Sequence, residues 1–288
     1  MAGGSGTGRG LTRPPVLTRF APSPTGPLHL GHAYSALTVW RLAAESGGTA
    51  LLRIEDTDST RARPEWERSI LDDLRWLGLD WPEPVRRQSD HLADYDAVLD
   101  DLAARGLLYP CSCTRREIAE AGARTGADGL VYPGTCRGRP MQDARPGDAI
   151  RLDLARALDL TGPARFTETG PLHAGDHEVA PGRMLEEIGD PVLRRRQTGD
   201  PAYHLACPHD DALQGVTHVV RGLDLWGATP LHVVLQGLMG WPVPVYHHHE
   251  LITDATGRRL AKIDRSRAIA AYREDGATPS DIRAMVGL

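Results

Sequence analysis

The spacing of apolar residues changes along this chain from the period of a strand to that of a helix and back. Val16 to Phe20 is short, apolar-rich and β-branched at Val16 and Thr18, which predicts a strand. From Leu30 the apolar positions Ala33, Leu37, Trp40 and Ala44 recur at helical spacing until Gly47-Gly48 ends them. Ala50 to Ile54 reads as a buried strand. Two helical stripes follow, one of Trp66, Ile70, Leu74 and Leu77, the other of Tyr95, Val98, Leu99 and Leu102 with Gly106 as its stop. Much later Val216 to Val220 alternates as a strand, and Leu231, Val234, Leu235 and Leu238 mark a helix closed by Gly240. Strand, helix and strand in close succession predict a right-handed βαβ unit, hence an α/β fold with a parallel sheet. Ligands of such sheets gather at the carboxyl ends of the strands. Arg19, Glu55 and Arg221 each stand at such an end, and the first two are expected to face one cleft.

Between the first strand and helix, Pro22, Pro24 and Pro27 fix the backbone and exclude further ladder pairing. His29 and His32 are three residues apart at the start of the helix, so they share a face. Imidazoles beside free backbone N–H groups at a positive dipole end suit a phosphate. Gly31 leaves room for a flat ring or a phosphate against the backbone. A lone histidine here would be read as a helix cap; His-x-Gly-His after a proline-fixed turn points to phosphate binding.

Composition narrows the picture. The 288 residues suffice for one large or two modest domains, and a net charge of -5 gives no bulk attraction to nucleic acid. Four cysteines suggest metal binding in a reducing compartment more than a disulfide scaffold. No run approaches membrane-spanning length and no signal-peptide core is evident, so a cytoplasmic location without membrane contact is expected. Residues 1–13, rich in Gly, Ser and Arg, are expected to form a disordered tail. Of the 33 basic residues only Lys262 is a lysine. A chain so biased towards arginine keeps a lysine where a compact ammonium on a flexible stem is needed.

His29-Leu30-Gly31-His32 resembles the first signature of the class I aminoacyl-tRNA synthetases, and Arg19 to Gly26 resembles their glutamyl branch. Arg258-Arg259-Leu260-Ala261-Lys262 resembles the second signature, with Leu260 and Ala261 in place of the usual Met and Ser and with Lys262 on its lysine. The resemblance covers residues 16 to 265. It implies a Rossmann-like parallel sheet with an inserted zinc-containing subdomain. It also implies ATP, with Mg²⁺, lying over His29, Gly31 and His32 while Lys262 closes on the phosphates. His29, His32 and Lys262 are thus the catalytic candidates. An acidic substrate side chain wants a planar bidentate donor, for which Arg19 and Arg221 are the candidates. Glu55 suits the α-ammonium of L-glutamate and Tyr203 adds a hydroxyl; by resemblance Ala21 and Ser23 line the same pocket.

The spacing Cys111-x-Cys113…Tyr132-x-x-x-Cys136 resembles the single structural zinc site of the short glutamyl-synthetase paralogues, in which the tyrosine is the fourth ligand. By spacing alone an idle group of thiols stands beside that reading. Cys207-Pro208-His209 falls where the family has an apolar strand, and a proline there predicts a shortened or bulged strand. The expected division is a tail (1–13), two halves of a catalytic domain (14–108 and 198–249), an inserted zinc and acceptor-type subdomain (109–197) and a lysine loop with a short helical end (250–288). The 26 residues after Lys262 are too few for an anticodon-binding domain. Together with the Cys/Tyr/Cys spacing this resembles the short glutamyl-synthetase paralogues, and that resemblance implies an enzyme, expected to be a monomer, that activates glutamate without tRNA and transfers it to the queuosine base in the anticodon of tRNA(Asp). The alternatives are a truncated glutamyl-tRNA synthetase charging tRNA(Glu), a ligase acting on a carrier protein or small molecule, and a non-catalytic RNA-binding module. Arg194-Arg195-Arg196 and Arg258-Arg259 are either RNA-backbone contacts or solvated faces.

Overall fold

The computed structural model describes residues 15–126, 129–252 and 267–288. The expected tail 1–13, Lys262 with its signature, and the Arg258-Arg259 pair lie outside the described residues.

The chain opens with β1 (Leu17–Phe20), α1 (Leu30–Glu45) and β2 (Thr49–Ile54). The two strands run parallel, with Leu17 opposite Thr49 and Phe20 opposite Leu52. Helix α2 (Pro64–Trp76) starts on a proline, whose missing N–H has no partner to lose in a first turn. A short β3 (Arg86–Arg87) adds to β2 in parallel, and α3 (Leu92–Ala104) turns Tyr95, Val98, Leu99 and Leu102 inward.

The central stretch contains β4 (Leu108–Cys111), α4 (Arg115–Glu120), β5 (Thr125–Gly126) and β6 (Gly129–Leu130). It continues through β7 (Ala149–Leu152), α5 (Leu154–Thr161), β8 (Ala164–Glu168), β9 (Gly175–Val179), α6 (Pro181–Glu187) and β10 (Val192–Arg194). Strands β10, β7 and β4 form a separate antiparallel sheet. The chain then runs through α7 (Tyr203–Leu213), β11 (His218–Gly222), a 3₁₀ segment Leu223–Ala228, α8 (Thr229–Met239) and β12 (Val245–His249). Two helices, Ile269–Glu274 and Pro279–Met285, end it.

Strand β12 pairs in parallel with both β11 and β8, and β9 closes that edge antiparallel to β8. The strand sets β1-β2-β3 and β11-β12-β8-β9 abut along β1 and β11, where the Thr217 N–H donates to the Leu17 carbonyl at 2.8 Å. From β1 the strand order steps outward one way to β2, and from β11 it steps the other way to β12. This reversal opens a crevice above the strand ends.

Two sequence expectations need correction. Residues 164–179, assigned above to the inserted stretch, belong to the main sheet: Ala164, Phe166 and Glu168 face inward and Arg165 and Thr167 outward, the alternation of a half-buried strand. The segment around Pro208 is no strand at all but the middle of helix α7. Pro208 cannot donate to the carbonyl four residues back, which costs a helix about 3 kcal/mol. Helix α7 nevertheless buries Leu205, Ala206 and Cys207, and it carries Asp210 and Asp211 into ion pairs with arginines of the sheet. Tertiary contacts thus outweigh the local penalty. No helix among the described residues is long and apolar enough to cross a membrane.

Candidate active site

At the carboxyl ends of β1 and β11 lies a cavity of about 470 Å³. Arg19, Ala21, Ser23, Glu55, Tyr203 and Arg221 line it, together with His29, Gly31 and His32. These residues span two hundred positions of sequence, and the sheet brings them to a single rim.

His29 is the N-cap of α1. Its Nδ1 accepts the Gly31 N–H at 3.1 Å, and His32 Nδ1 accepts the His29 N–H at 3.2 Å. The rings stack with centroids 3.8 Å apart. Capping and ligand binding therefore do not compete. A neutral imidazole whose Nδ1 accepts must carry its proton on Nε2, so each ring presents an Nε2–H donor. Both are neutral near pH 7, because burial lowers the His29 pKa, and burial together with His29 takes His32 to about 3. The requirement for Gly31 also becomes clear: a Cβ there would lie 2.9 Å from His29 Cε1, so glycine lets the imidazole fold back over the helix end.

Beneath the cavity lies a network of buried charges. Arg19 donates through Nε to Asp211 Oδ1 at 2.8 Å, through Nη2 to Asp211 Oδ2 at 3.3 Å and through Nη1 to the Val220 carbonyl at 3.2 Å. Arg53 is fully buried, one residue before the end of β2, and meets Asp211 at 2.8 Å and Glu55 at 3.1 Å. Asp210 joins Arg86 at 2.9 Å and accepts from Gln88 and Tyr95. Burial alone would raise the Asp211 carboxyl, but Arg19 and Arg53 outweigh it and hold it below its usual range. At Glu55 burial wins over the pull of Arg53, and its pKa is raised.

Arg221, 4% exposed at the end of β11, is held differently. Its Nε donates to His248 Nε2 at 3.0 Å and its Nη2 to the Thr229 hydroxyl at 2.8 Å. Nη1 reaches the Tyr203 hydroxyl at 3.0 Å and His232 Nδ1 at 3.3 Å. Its flat face lies over the Tyr246 ring, 5.4 Å from the centroid. No carboxylate pairs with it among the described residues. His232 is kept neutral by burial and by the neighbouring Arg221 charge.

Away from the cavity, Cys111, Cys113 and Cys136 place their sulfurs within 4.8 Å of one another, with none in a disulfide. The Tyr132 hydroxyl lies 3.3 Å from Cys111 Sγ and 3.4 Å from Cys113 Sγ, and it accepts the Cys136 N–H at 2.8 Å. Burial opposes ionisation of Cys136, but hydrogen bonds from Tyr132, the Ser112 backbone and the other thiols bring it down to about 6. Of the arginine run, Arg194 is paired with Asp96, and Arg195 with Asp58 at 3.0 Å.

The sequence reading passed over Arg53, Asp210 and Asp211, and also His232, His248 and Glu168. An arginine inside the apolar run Ala-Leu-Leu-Arg-Ile and two adjacent aspartates on a buried helix were the available signals. The triple histidine 247–249 at a strand end was another.

Comparison with known proteins follows the same lines. The family model described as tRNA synthetases class I (E and Q), catalytic domain, matches residues 15–140 and 174–288. The Glutamyl-Q tRNA(Asp) synthetase of Rhodobacter capsulatus is 55% identical over 282 residues, covering 95% of this chain and 100% of that protein. The protein of the same name from Nitratidesulfovibrio vulgaris is 42% identical, covering 92% and 83%. Among solved structures, a glutamate tRNA ligase from Elizabethkingia meningosepticum, in complex with its amino acid, superposes with a TM-score of 0.73 at 27% identity; the match covers 96% of this chain and 61% of that one. The chain belongs to the class I tRNA synthetase family of the glutamate and glutamine enzymes, in the branch of the glutamyl-Q tRNA(Asp) synthetases.

Proposed function

We propose that this chain activates L-glutamate with ATP in the absence of tRNA and then transfers the glutamyl group to the queuosine base in the anticodon of tRNA(Asp). The single observation that carries the glutamate reading is Arg221: a buried cation at the cavity wall, fully oriented and matched by no carboxylate among the described residues. A side-chain carboxylate is the ligand group that would balance it.

Tyr203 and Arg221 take the substrate side chain; Arg19, expected from the sequence to share that role, lines the cavity but spends its guanidinium on Asp211 and the Val220 carbonyl. Ala21 and Ser23 line the path, and Glu55 receives the α-ammonium. Arriving cationic charge favours the ionised form of Glu55. ATP, brought as its Mg²⁺ complex, lies over Gly31, where the Nε2–H groups of His29 and His32 donate to phosphate oxygens. Lys262, outside the described residues, is assigned to the phosphates by its motif. An oxygen of the substrate α-carboxylate attacks the α-phosphorus and pyrophosphate leaves. The carboxylate is already ionised at neutral pH, so no general base is required. Positioning and stabilisation of phosphate charge then supply the catalysis. In the second step a hydroxyl of the modified base attacks the acyl carbonyl and AMP leaves.

Cys111, Cys113, Cys136 and Tyr132 fit a zinc ion. A tetrahedral site with thiolate bonds spaces its sulfurs by about 3.7 Å, and Cys113 and Cys136 already stand 3.5 Å apart with the Tyr132 oxygen beside them. Bound zinc would cross-link β4 to the loop before β7. Metal analysis of the purified protein is expected to find one zinc per chain, lost in Cys136→Ser.

The function is tested by incubating the protein with ¹⁴C-glutamate, ATP and tRNA(Asp) with or without queuosine. Label is expected on the queuosine-containing tRNA alone. Label on both forms, or on tRNA(Glu), would refute the acceptor assignment.

A further inference from the structure

The way Arg221 is held has a second layer. Because a guanidinium can only donate, His248 Nε2, at 3.0 Å from Arg221 Nε, must be an unprotonated acceptor. Thr229 Oγ1 also lies 3.2 Å from that nitrogen. The single proton of the neutral ring therefore sits on Nδ1, which faces Glu168 Oε2 at 2.6 Å. The other oxygen, Oε1, accepts the Gly170 N–H at 2.5 Å and the His248 N–H at 2.8 Å. Both carboxylate oxygens are thus committed to donors, and the side chain is fully buried. The backbone is shaped to this contact. A Cβ on Gly170 would lie 2.2 Å from the His248 carbonyl oxygen and 2.7 Å from Glu168 Oε1.

We propose that Glu168 and His248 are positioning residues for substrate selection: Glu168 fixes the tautomer of His248, and His248 in turn orients Arg221 through a lone pair instead of a negative charge. A carboxylate placed directly on Arg221 would orient it equally well but cancel the charge that the substrate must meet. The imidazole keeps the balancing anion one ring away. The inference rests on the glutamate pocket described above and deepens it. A purely structural role, pairing β8 to β12, is the competing explanation.

In Glu168→Gln the amide oxygen can still accept from the two backbone N–H groups, which leaves its NH₂ facing His248 Nδ1. The ring proton then moves to Nε2 and meets the Arg221 N–H, donor against donor. In tRNA-independent ATP–pyrophosphate exchange, this variant is expected to raise the KM for glutamate about tenfold or more, while kcat and the KM for ATP stay within about twofold. His248→Gln, which returns an acceptor oxygen near the Nε2 position, is expected to recover most of the affinity that His248→Leu loses. ¹⁵N NMR of the unmodified protein is expected to show His248 as the Nδ1–H tautomer, and this measurement stands even where a variant fails to fold. A wild-type glutamate KM in both Glu168→Gln and His248→Leu, or an Nε2–H tautomer in the unmodified protein, overturns the proposal. Exchange absent from the wild-type enzyme would instead refute the glutamate reading, and the NMR result would still decide the tautomer.

Discussion

Two groups of buried arginines lie under one cavity and are treated in opposite ways. Arg19 and Arg53 are matched by Asp211 and Glu55, so that side of the pocket is close to electrically balanced. Arg221 is held by two imidazoles, two hydroxyls and an aromatic face, none of which carries a formal negative charge. Taking an ion out of water costs several kcal/mol even after the protein relaxes. For the first pair that cost is offset within the fold. For Arg221 it is offset only in part, and in the proposed function a ligand carboxylate completes the balance. Burying an arginine therefore does not by itself mark a binding group; what its partners are decides between a brace and a receptor.

The contrast makes separable predictions. Arg221→Ala is expected to lower kcat/KM for glutamate in pyrophosphate exchange by about a thousandfold, while thermal unfolding stays within a few degrees of the wild type. A variant that unfolded early yet kept its activity would reverse the roles assigned to the two groups. Asp211→Ala should do the converse. It strands two buried guanidiniums, and urea titration is expected to show a loss of about 3–5 kcal/mol; a loss below about 1 kcal/mol would mean that the network is not structural.

A smaller effect concerns acid. Burial opposes the ionised form of Glu168, but hydrogen bonds from the His248 ring, the His248 backbone and Gly170 hold its pKa at about 2. The unfolded chain protonates this group near pH 4.3. Because the folded value is the lower one, the stabilisation is fully present above the unfolded pKa and is lost as pH falls from about 5 towards 2. Unfolding scans between pH 6 and 3 should show a shallower acid limb in Glu168→Gln than in the wild type.

The parts of this site that were legible in the sequence are those set by backbone direction. Parallel strands deliver their carboxyl ends to one crevice, so Arg19, Glu55 and Arg221 could be placed around it from local pattern. The stacked histidines were legible because a helix start fixes residues three apart on one face. What the sequence concealed depends on packing between distant segments. Arg53 reads as an interruption of an apolar strand until Asp211, far along the chain, is brought against it. Pro208 argues against regular structure locally, and only the ion pairs of Asp210 and Asp211 show why α7 runs through it. His248 sits in a run of three histidines with no periodic signal, and its role appears once β8 supplies Glu168.

The claim on which the rest depends is that the unmatched charge of Arg221 selects an acidic substrate. The direct measurement is the ratio of kcat/KM for glutamate over glutamine in tRNA-independent ATP–pyrophosphate exchange, in the wild type and in Arg221→Gln. A ratio of about a hundred or more in the wild type, falling close to one in the variant through loss of glutamate activity, is the expected result. An undiminished preference for glutamate in Arg221→Gln would contradict it.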